Sequence, residues 1–167
     1  MLVHSFPPLI DSASRLLVLG SMPGAASLRA YEYYGNPRNY MWRILYALYG
    51  EGRDVDDVYD DRLRFALGNG IALWDVIASC DRPGSLDSDI TRAIPNDVPG
   101  LLTEYPGIRA IVCNGTKSYA ELTKHFGDDP EIASRRVVRM PSTSPIPTKD
   151  YRNLEDRVQA WRAILVL

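Results

Sequence analysis

Cysteine, histidine and lysine are scarce in this chain, and each shortage closes off a class of chemistry. Among 167 residues the only cysteines are Cys80 and Cys113. Two cysteines neither staple a domain of this size nor complete a four-cysteine zinc or iron–sulfur site. The expected compartment is a reducing cytoplasm. The two histidines, His4 and His125, lie far apart, and neither has a metal-ligand pattern beside it. They read as surface or structural residues, and with no other ligand-spaced cluster neither a metal nor a cofactor is expected. Lys117, Lys124 and Lys149 are the only lysines, and nothing marks one out for Schiff-base chemistry. No GxGxxG, GxxxxGK[ST] or GxSxG motif occurs, which removes the main support for dinucleotide, P-loop and hydrolase-elbow readings. No apolar run approaches the ~18 residues of a membrane span. The opening residues MLVHSFPPLIDS lack the basic and apolar stretches of a secretory signal. No membrane association is expected, and the chain reads as a monomer.

What is present is ordinary for a globular chain. Hydrophobic residues make up 46% and charged residues 24%, which excludes disorder, collagen and coiled coil. The length predicts one domain over residues 1–167 with a core of its own. The net charge of −2 argues mildly against a nucleic-acid partner, but the charge is unevenly spread. Residues 51–61 hold six acids against one base, and without them 15 acids face 18 bases. The bases are 16 arginines and three lysines. Arginine binds phosphate bidentately, so a local basic face can meet a phosphate backbone despite the overall sign. The alternative source of this bias is a GC-rich genome.

Short buried-strand patterns alternate with helical ones. Residues 15–20 (RLLVLG), 70–74 (GIALW), 109–113 (RAIVC) and 135–140 (RRVVRM) read as strands. Residues 39–49, 58–67, 98–104, 115–126 and 154–167 read as helices. This order predicts an α/β fold, three layers deep, with a mostly parallel four-stranded sheet. Ligands of such sheets sit outside the carboxyl ends of the strands. The four exits are residues 20–24 (GSMPG), 74–80 (WDVIASC), 114–116 (NGT) and 141–147 (PSTSPIP). Backbone N–H groups, amides and hydroxyls of this kind suit phosphate and a small polar ring, although turn residues gather at strand ends in any case.

Together these segments resemble a known family. SFPP at 5–8, GSMPG at 20–24 with Ser27-Leu28, YYGNPRNYMW at 33–42, LWDVIASCDRPGSLDS at 73–88, Asn114-Gly115 and PSTSP at 141–145 follow the order of the uracil-DNA glycosylase superfamily. The closest resemblance is to its hypoxanthine-DNA glycosylase branch. The resemblance implies a sheet of order 2-1-3-4 and a DNA repair enzyme acting on damaged DNA. Such an enzyme flips a deaminated base, expected here to be hypoxanthine, and hydrolyses its N-glycosidic bond, leaving an abasic site. Uracil or broad deaminated-base specificity, a catalytically silent DNA-binding module, and a nucleoside or nucleotide hydrolase are the alternatives.

The resemblance also distributes roles. Mismatch-specific relatives carry a water-positioning Asn in the first loop where this chain has Met22, so that role passes to Asn39. An amide orients water rather than deprotonating it; the alternative role of Asn39 is a helix cap. Met22, Tyr34 and Asn114 would form the base pocket, Tyr34 by stacking and Asn114 by reading a lactam edge. Asn114 before glycine is equally a turn residue. Asp75 is a supporting water or sugar contact or, as favoured, a loop-anchoring acceptor. Residues 85–88 read as a helix cap. Ser142, Thr143 and Ser144 would grip phosphates, with Ile146 as the wedge that fills the vacated stack; its alternative is core packing. Arg38, Arg82 and Lys149 would add phosphate charge or are plain surface residues. The chain departs from the family after PSTSP, reading Ile146-Pro147-Thr148.

Overall fold

The structure, a computed structural model, describes residues 2–167. A short strand β1 (Leu2–His4) precedes β2 (Leu16–Gly20), and α1 (Ala25–Ala30), α2 (Met41–Tyr49) and α3 (Tyr59–Gly68) lead to β3 (Ile71–Asp75). Strands β4 (Ile77–Asp81) and β5 (Thr91–Pro95) flank a 3-10 turn at Asp87–Asp89. Then come α4 (Val98–Glu104), β6 (Ala110–Asn114), α5 (Thr116–Phe126), α6 (Pro130–Ala133) and β7 (Arg136–Met140). Helix α7 (Leu154–Trp161) runs into a closing 3-10 turn, Arg162–Val166.

The main sheet has the order β3-β2-β6-β7, and all three pairings are parallel. Numbered among themselves these strands give the order 2-1-3-4. The period of two along each strand builds the layers. Leu16 and Val18 face one side with Ile71, Leu73, Ala110 and Val112, where α2, α3 and α7 bury Met41, Ile44, Leu45, Phe65, Val158 and Trp161. Leu17 and Leu19 face the other side with Ala72, Trp74, Ile111 and Cys113, covered by Leu101, Leu102, Leu122 and Ile132 of α4, α5 and α6. Both cysteines are buried free thiols. Among the described residues no helix is long and apolar enough to cross a membrane.

Two expectations need correction. Residues 74–80 are not a loop: the chain passes straight from β3 into β4, which pairs antiparallel with β1 and β5 in a second, three-stranded sheet. Strand β5 is the next strand in the chain, but β1 comes from its opening residues, so no local pattern announces that pairing. The last helix also breaks at Trp161 into a 3-10 turn. The small sheet and the first exit loop enclose a minor core of Met22, Ile77, Cys80 and Ile90.

Candidate active site

All four carboxyl ends of the main sheet open on one cavity of about 490 Å³, within the usual range of ligand pockets. Met22, Tyr34, Asn39, Asp75, Asn114, Ser142, Thr143, Ser144 and Ile146 line it, so the structure brings nine of the twelve sequence-derived residues together. Arg38 is exposed and outside the lining. None of the acids of residues 51–61 reaches the cavity, and neither does either histidine. His125 instead pairs with Glu121 on α5, at 3.0 Å.

The floor is built at the end of β2. A Cβ at position 20 would collide with Asp75 Oδ1 and lie 3.3 Å from the Tyr34 hydroxyl. Glycine there lets a carboxylate and a phenol approach the backbone. Asp75 is buried, and its Oδ2 has no hydrogen-bond partner. Burial is the main cause pushing its pKa up to about 7; Arg82 pulls the other way and Asp87 adds to the rise. The anchoring role favoured for this side chain is therefore corrected. The loop tie runs through the Asp75 backbone carbonyl, which accepts from Asn96 Nδ2 at 2.8 Å.

Tyr34 is half-buried and left-handed, at φ 53°. Such a backbone is uncommon for a bulky residue and persists where neighbours over-determine it. Burial, with Asp75 beside it, holds its phenol above the ordinary range. Tyr33 packs in the core and donates its hydroxyl to the Pro7 carbonyl at 2.8 Å.

Asn39 stands just before α2. Its Oδ1 accepts from the Met41 N–H at 2.9 Å, so it satisfies the first free N–H of the helix from the position ahead of the N-cap, which is Tyr40. That bond uses one lone pair of the oxygen and none of the amide N–H groups, which leaves donors and an acceptor for the cavity.

Asn114 is more committed than its sequence position shows. Its Oδ1 accepts from the Thr143 N–H at 3.0 Å, and its Nδ2 donates to Thr143 Oγ1 at 3.0 Å and lies 3.5 Å from the Tyr34 hydroxyl. Gly115, at φ 97°, then turns the chain into α5 against Ser142. Thr143 is correspondingly 1% exposed, with its N–H and hydroxyl both held by Asn114. As a phosphate ligand it is corrected to a loop anchor. Exposed Ser142 and half-buried Ser144 remain near the opening, and Ile146 is 56% exposed at the rim rather than packed in the core.

The loop 141–147 is held from behind by α7. Arg157, 1% exposed, donates from Nε to the Ser142 carbonyl at 2.9 Å, from Nη2 to the Ile146 carbonyl at 3.0 Å and from Nη1 to the Asn153 carbonyl at 3.1 Å. Its guanidinium also lies over the Tyr40 ring, 4.7 Å from the centroid. Trp161 Nε1 donates to the Pro141 carbonyl at 2.9 Å, and the Tyr40 N–H to that of Thr143 at 2.9 Å. A loop fixed at so many carbonyls is preorganised for a ligand.

Arg82 is corrected too. It is 2% exposed and donates to the Pro23 carbonyl behind the first loop, so it is no surface cation for phosphate. Lys149 is exposed beside an adjoining cavity lined by Gly115, Arg139 and Tyr151. The sequence reading missed Ser21, Arg29 and Asp87 among the lining residues. Ser21 Oγ donates to Asp87 Oδ1 at 2.7 Å, which ties the first loop to the 3-10 turn. Residues 85–88 cap no helix of their own; Ser85 Oγ instead accepts from the Ala25 N–H at the start of the distant α1, at 2.8 Å.

Comparison with known proteins places this architecture. The family model of the uracil DNA glycosylase superfamily matches residues 7–165. A protein named hypoxanthine DNA glycosylase from Methanosarcina acetivorans is 34% identical over 98% of both chains. Another of that name, from Methanosarcina barkeri, is 36% identical over 77% of this chain and 82% of its own. A solution NMR structure from Methanosarcina acetivorans, described provisionally as a uracil DNA glycosylase, superposes with a TM-score of 0.77 at 33% identity, covering 98% of this chain and 96% of that one. The sheet order, the cavity at its carboxyl edge and these matches along nearly the whole chain lead to one conclusion: the chain belongs to the uracil DNA glycosylase superfamily.

Proposed function

We propose that the protein is a monofunctional DNA glycosylase that removes hypoxanthine from DNA. The observation that carries the reading is the cavity itself: an aromatic ring, amides, hydroxyls and a buried carboxyl line a space fit for one flipped base, with an exposed isoleucine at its mouth. The choice of base rests on the two relatives named for hypoxanthine.

Breaking an N-glycosidic bond builds positive charge on the sugar and negative charge on the departing base. Catalysis then needs an extruded base, donors that strengthen as charge develops, and a placed water. In this reading Asn39 orients the water through its amide. Tyr34 stacks on the base, and Met22 closes the pocket on the apolar side. Asn114 shapes the base pocket while holding the loop that carries Ser142 and Ser144 to the phosphates.

Duplexes containing inosine, uracil, xanthine or no lesion, followed by alkaline cleavage, test the function, with free inosine alongside. Inosine-specific strand cleavage is expected. Preferential release of uracil, or hydrolysis of free inosine alone, would overturn it. Water attack on an oxocarbenium-like sugar requires no Lewis acid, so the rate is expected to be unchanged in excess EDTA; a loss restored by a divalent ion would contradict that.

Ile146 is assigned the wedge. Its exposure predicts that Ile146→Ala changes stability by no more than about 0.5 kcal/mol, the range of ordinary surface substitutions. Base release should slow most on well-paired lesions and least on mismatched ones, because unstacking costs less there. An equal effect on both, measured in single turnover, would remove Ile146 from the role.

A further inference from the structure

Asp75 is the one buried carboxyl in the cavity, and the glycosylase reading gives it no defined task. It sits at the carboxyl end of β3, 4% exposed, with Oδ2 unpartnered and with glycine at position 20 making room for it. Asn114, the amide placed to read the base, has its oxygen and one N–H spent on Thr143 and its nitrogen beside the Tyr34 hydroxyl. A departing purine needs a donor on its acceptor edge, and the cavity floor carries the Asp75 carboxyl with one oxygen unpartnered.

Resting on the hypoxanthine reading, we infer that Asp75 is a further catalytic residue: as a neutral carboxylic acid, it donates its O–H to the acceptor edge of the flipped purine and stabilises the charge that develops as the base leaves. The C1′–N9 bond breaks with its electron pair moving into the purine. The water oxygen bonds to C1′ and loses a proton, which reaches the departing base through solvent. Asp75 keeps its own proton throughout. An ionised carboxylate in this place would oppose the same charge.

The surroundings favour the protonated form. The charged and titratable groups facing Asp75 are Arg82 after β4, Asp87 of the 3-10 turn, and Tyr33 and Tyr34 ahead of α2. Only Arg82 favours ionisation; burial and Asp87 oppose it, and the carboxyl already titrates near 7. A bound purine expels the remaining water and the DNA backbone adds negative charge, and both raise the value further. A carboxylic acid held neutral by an apolar site is an established way to supply such a donor.

The test measures single-turnover base release from an inosine duplex between pH 5.5 and 9 for the wild type, Asp75→Asn and Asp75→Ala, with melting curves for each. The wild-type rate is expected to be level at low pH and to fall as pH rises through the carboxyl's bound-state pKa, at or above 7. Asp75→Asn keeps an N–H donor, so it should stay within about tenfold of the wild type and lose the alkaline fall. Asp75→Ala should drop about 10²- to 10³-fold at every pH, the usual effect of deleting one transition-state donor. A flat or rising wild-type profile, or a folded Asp75→Asn as slow as Asp75→Ala, would overturn the role. So would a folded Asp75→Ala with the wild-type rate. A second readout does not need turnover: the carboxyl ¹³C shift of Asp75 should titrate near pH 7 in the free protein and higher when a non-cleavable 2′-fluoro-inosine duplex is bound. A bound-state midpoint below 5 would also overturn it. A wild type inactive on inosine sinks the substrate reading instead, and the carbon shift then still reports on Asp75 by itself.

Discussion

Asn39→Ala is expected to release base about 10²- to 10³-fold more slowly in single turnover, while duplex binding survives. The magnitude is that of removing one preorganised polar group from a water-excluded site. Binding should survive because the loop 141–147 is held by Arg157, Trp161, Asn114 and the Tyr40 N–H rather than by the Asn39 side chain. The complication is the bond from the Met41 N–H to Asn39 Oδ1, since losing a side-chain acceptor for a helix's free N–H costs about 1 kcal/mol. Asn39→Ser separates the two contributions. A serine hydroxyl also accepts from an N–H two residues on but does not extend an amide into the cavity. Asn39→Ser should therefore melt near the wild-type temperature and yet be nearly as slow as Asn39→Ala. A near-normal rate in either variant would leave Asn39 with only its structural role at the start of α2.

Arg157→Met is expected to be the most destabilising of the substitutions considered, and to slow base release from a distance. Methionine fills much of the same volume, so the loss is mainly of hydrogen bonds. Three partly buried N–H···O bonds disappear and leave the Ser142, Asn153 and Ile146 carbonyls without this donor. Charge-assisted bonds of this kind and the acceptors they leave behind amount to about 3–5 kcal/mol together. For a chain of this length that lowers Tm on the order of 10 °C. The activity loss follows from geometry: Arg157 is a positioning residue, since it holds the backbone on both sides of Ser144 and touches neither base nor sugar in this reading. A displacement of the loop by about 1 Å can cost about 10²-fold in rate. Arg157→Lys should recover part of the stability, because an ammonium reaches one or two of the carbonyls but cannot span all three in the plane of a guanidinium. A folded Arg157→Met with full activity and an unchanged salt dependence of duplex binding would show that the loop needs no such brace.

By itself the sequence determined the features carried by neighbouring residues. The four strands of the main sheet begin within one residue of their observed starts, and α4 is bounded as expected, because short apolar runs and a period of 3.6 are local signals. The ordered motifs likewise identified the family, and the rule for parallel sheets located the cavity at the strand exits. What tertiary structure alone decided is the state of each polar group there. Asn114 and Thr143 meet across 29 positions, Ser85 accepts from a helix N–H 60 positions away, and Ser21 reaches Asp87 across 66. The second sheet likewise depends on β1, which reaches β4 from the start of the chain. Whether a hydroxyl is free for a phosphate, an arginine is a surface cation or a brace, or a carboxylate is an anchor or an unpartnered acid depends on which distant atoms fill its hydrogen-bonding capacity and exclude water from it. Ser142, Thr143, Arg82, Arg157 and Asp75 look alike in sequence as polar residues of loops or helix faces. Burial separates them, because desolvation makes a partner, or a shifted proton, obligatory for each group taken out of water.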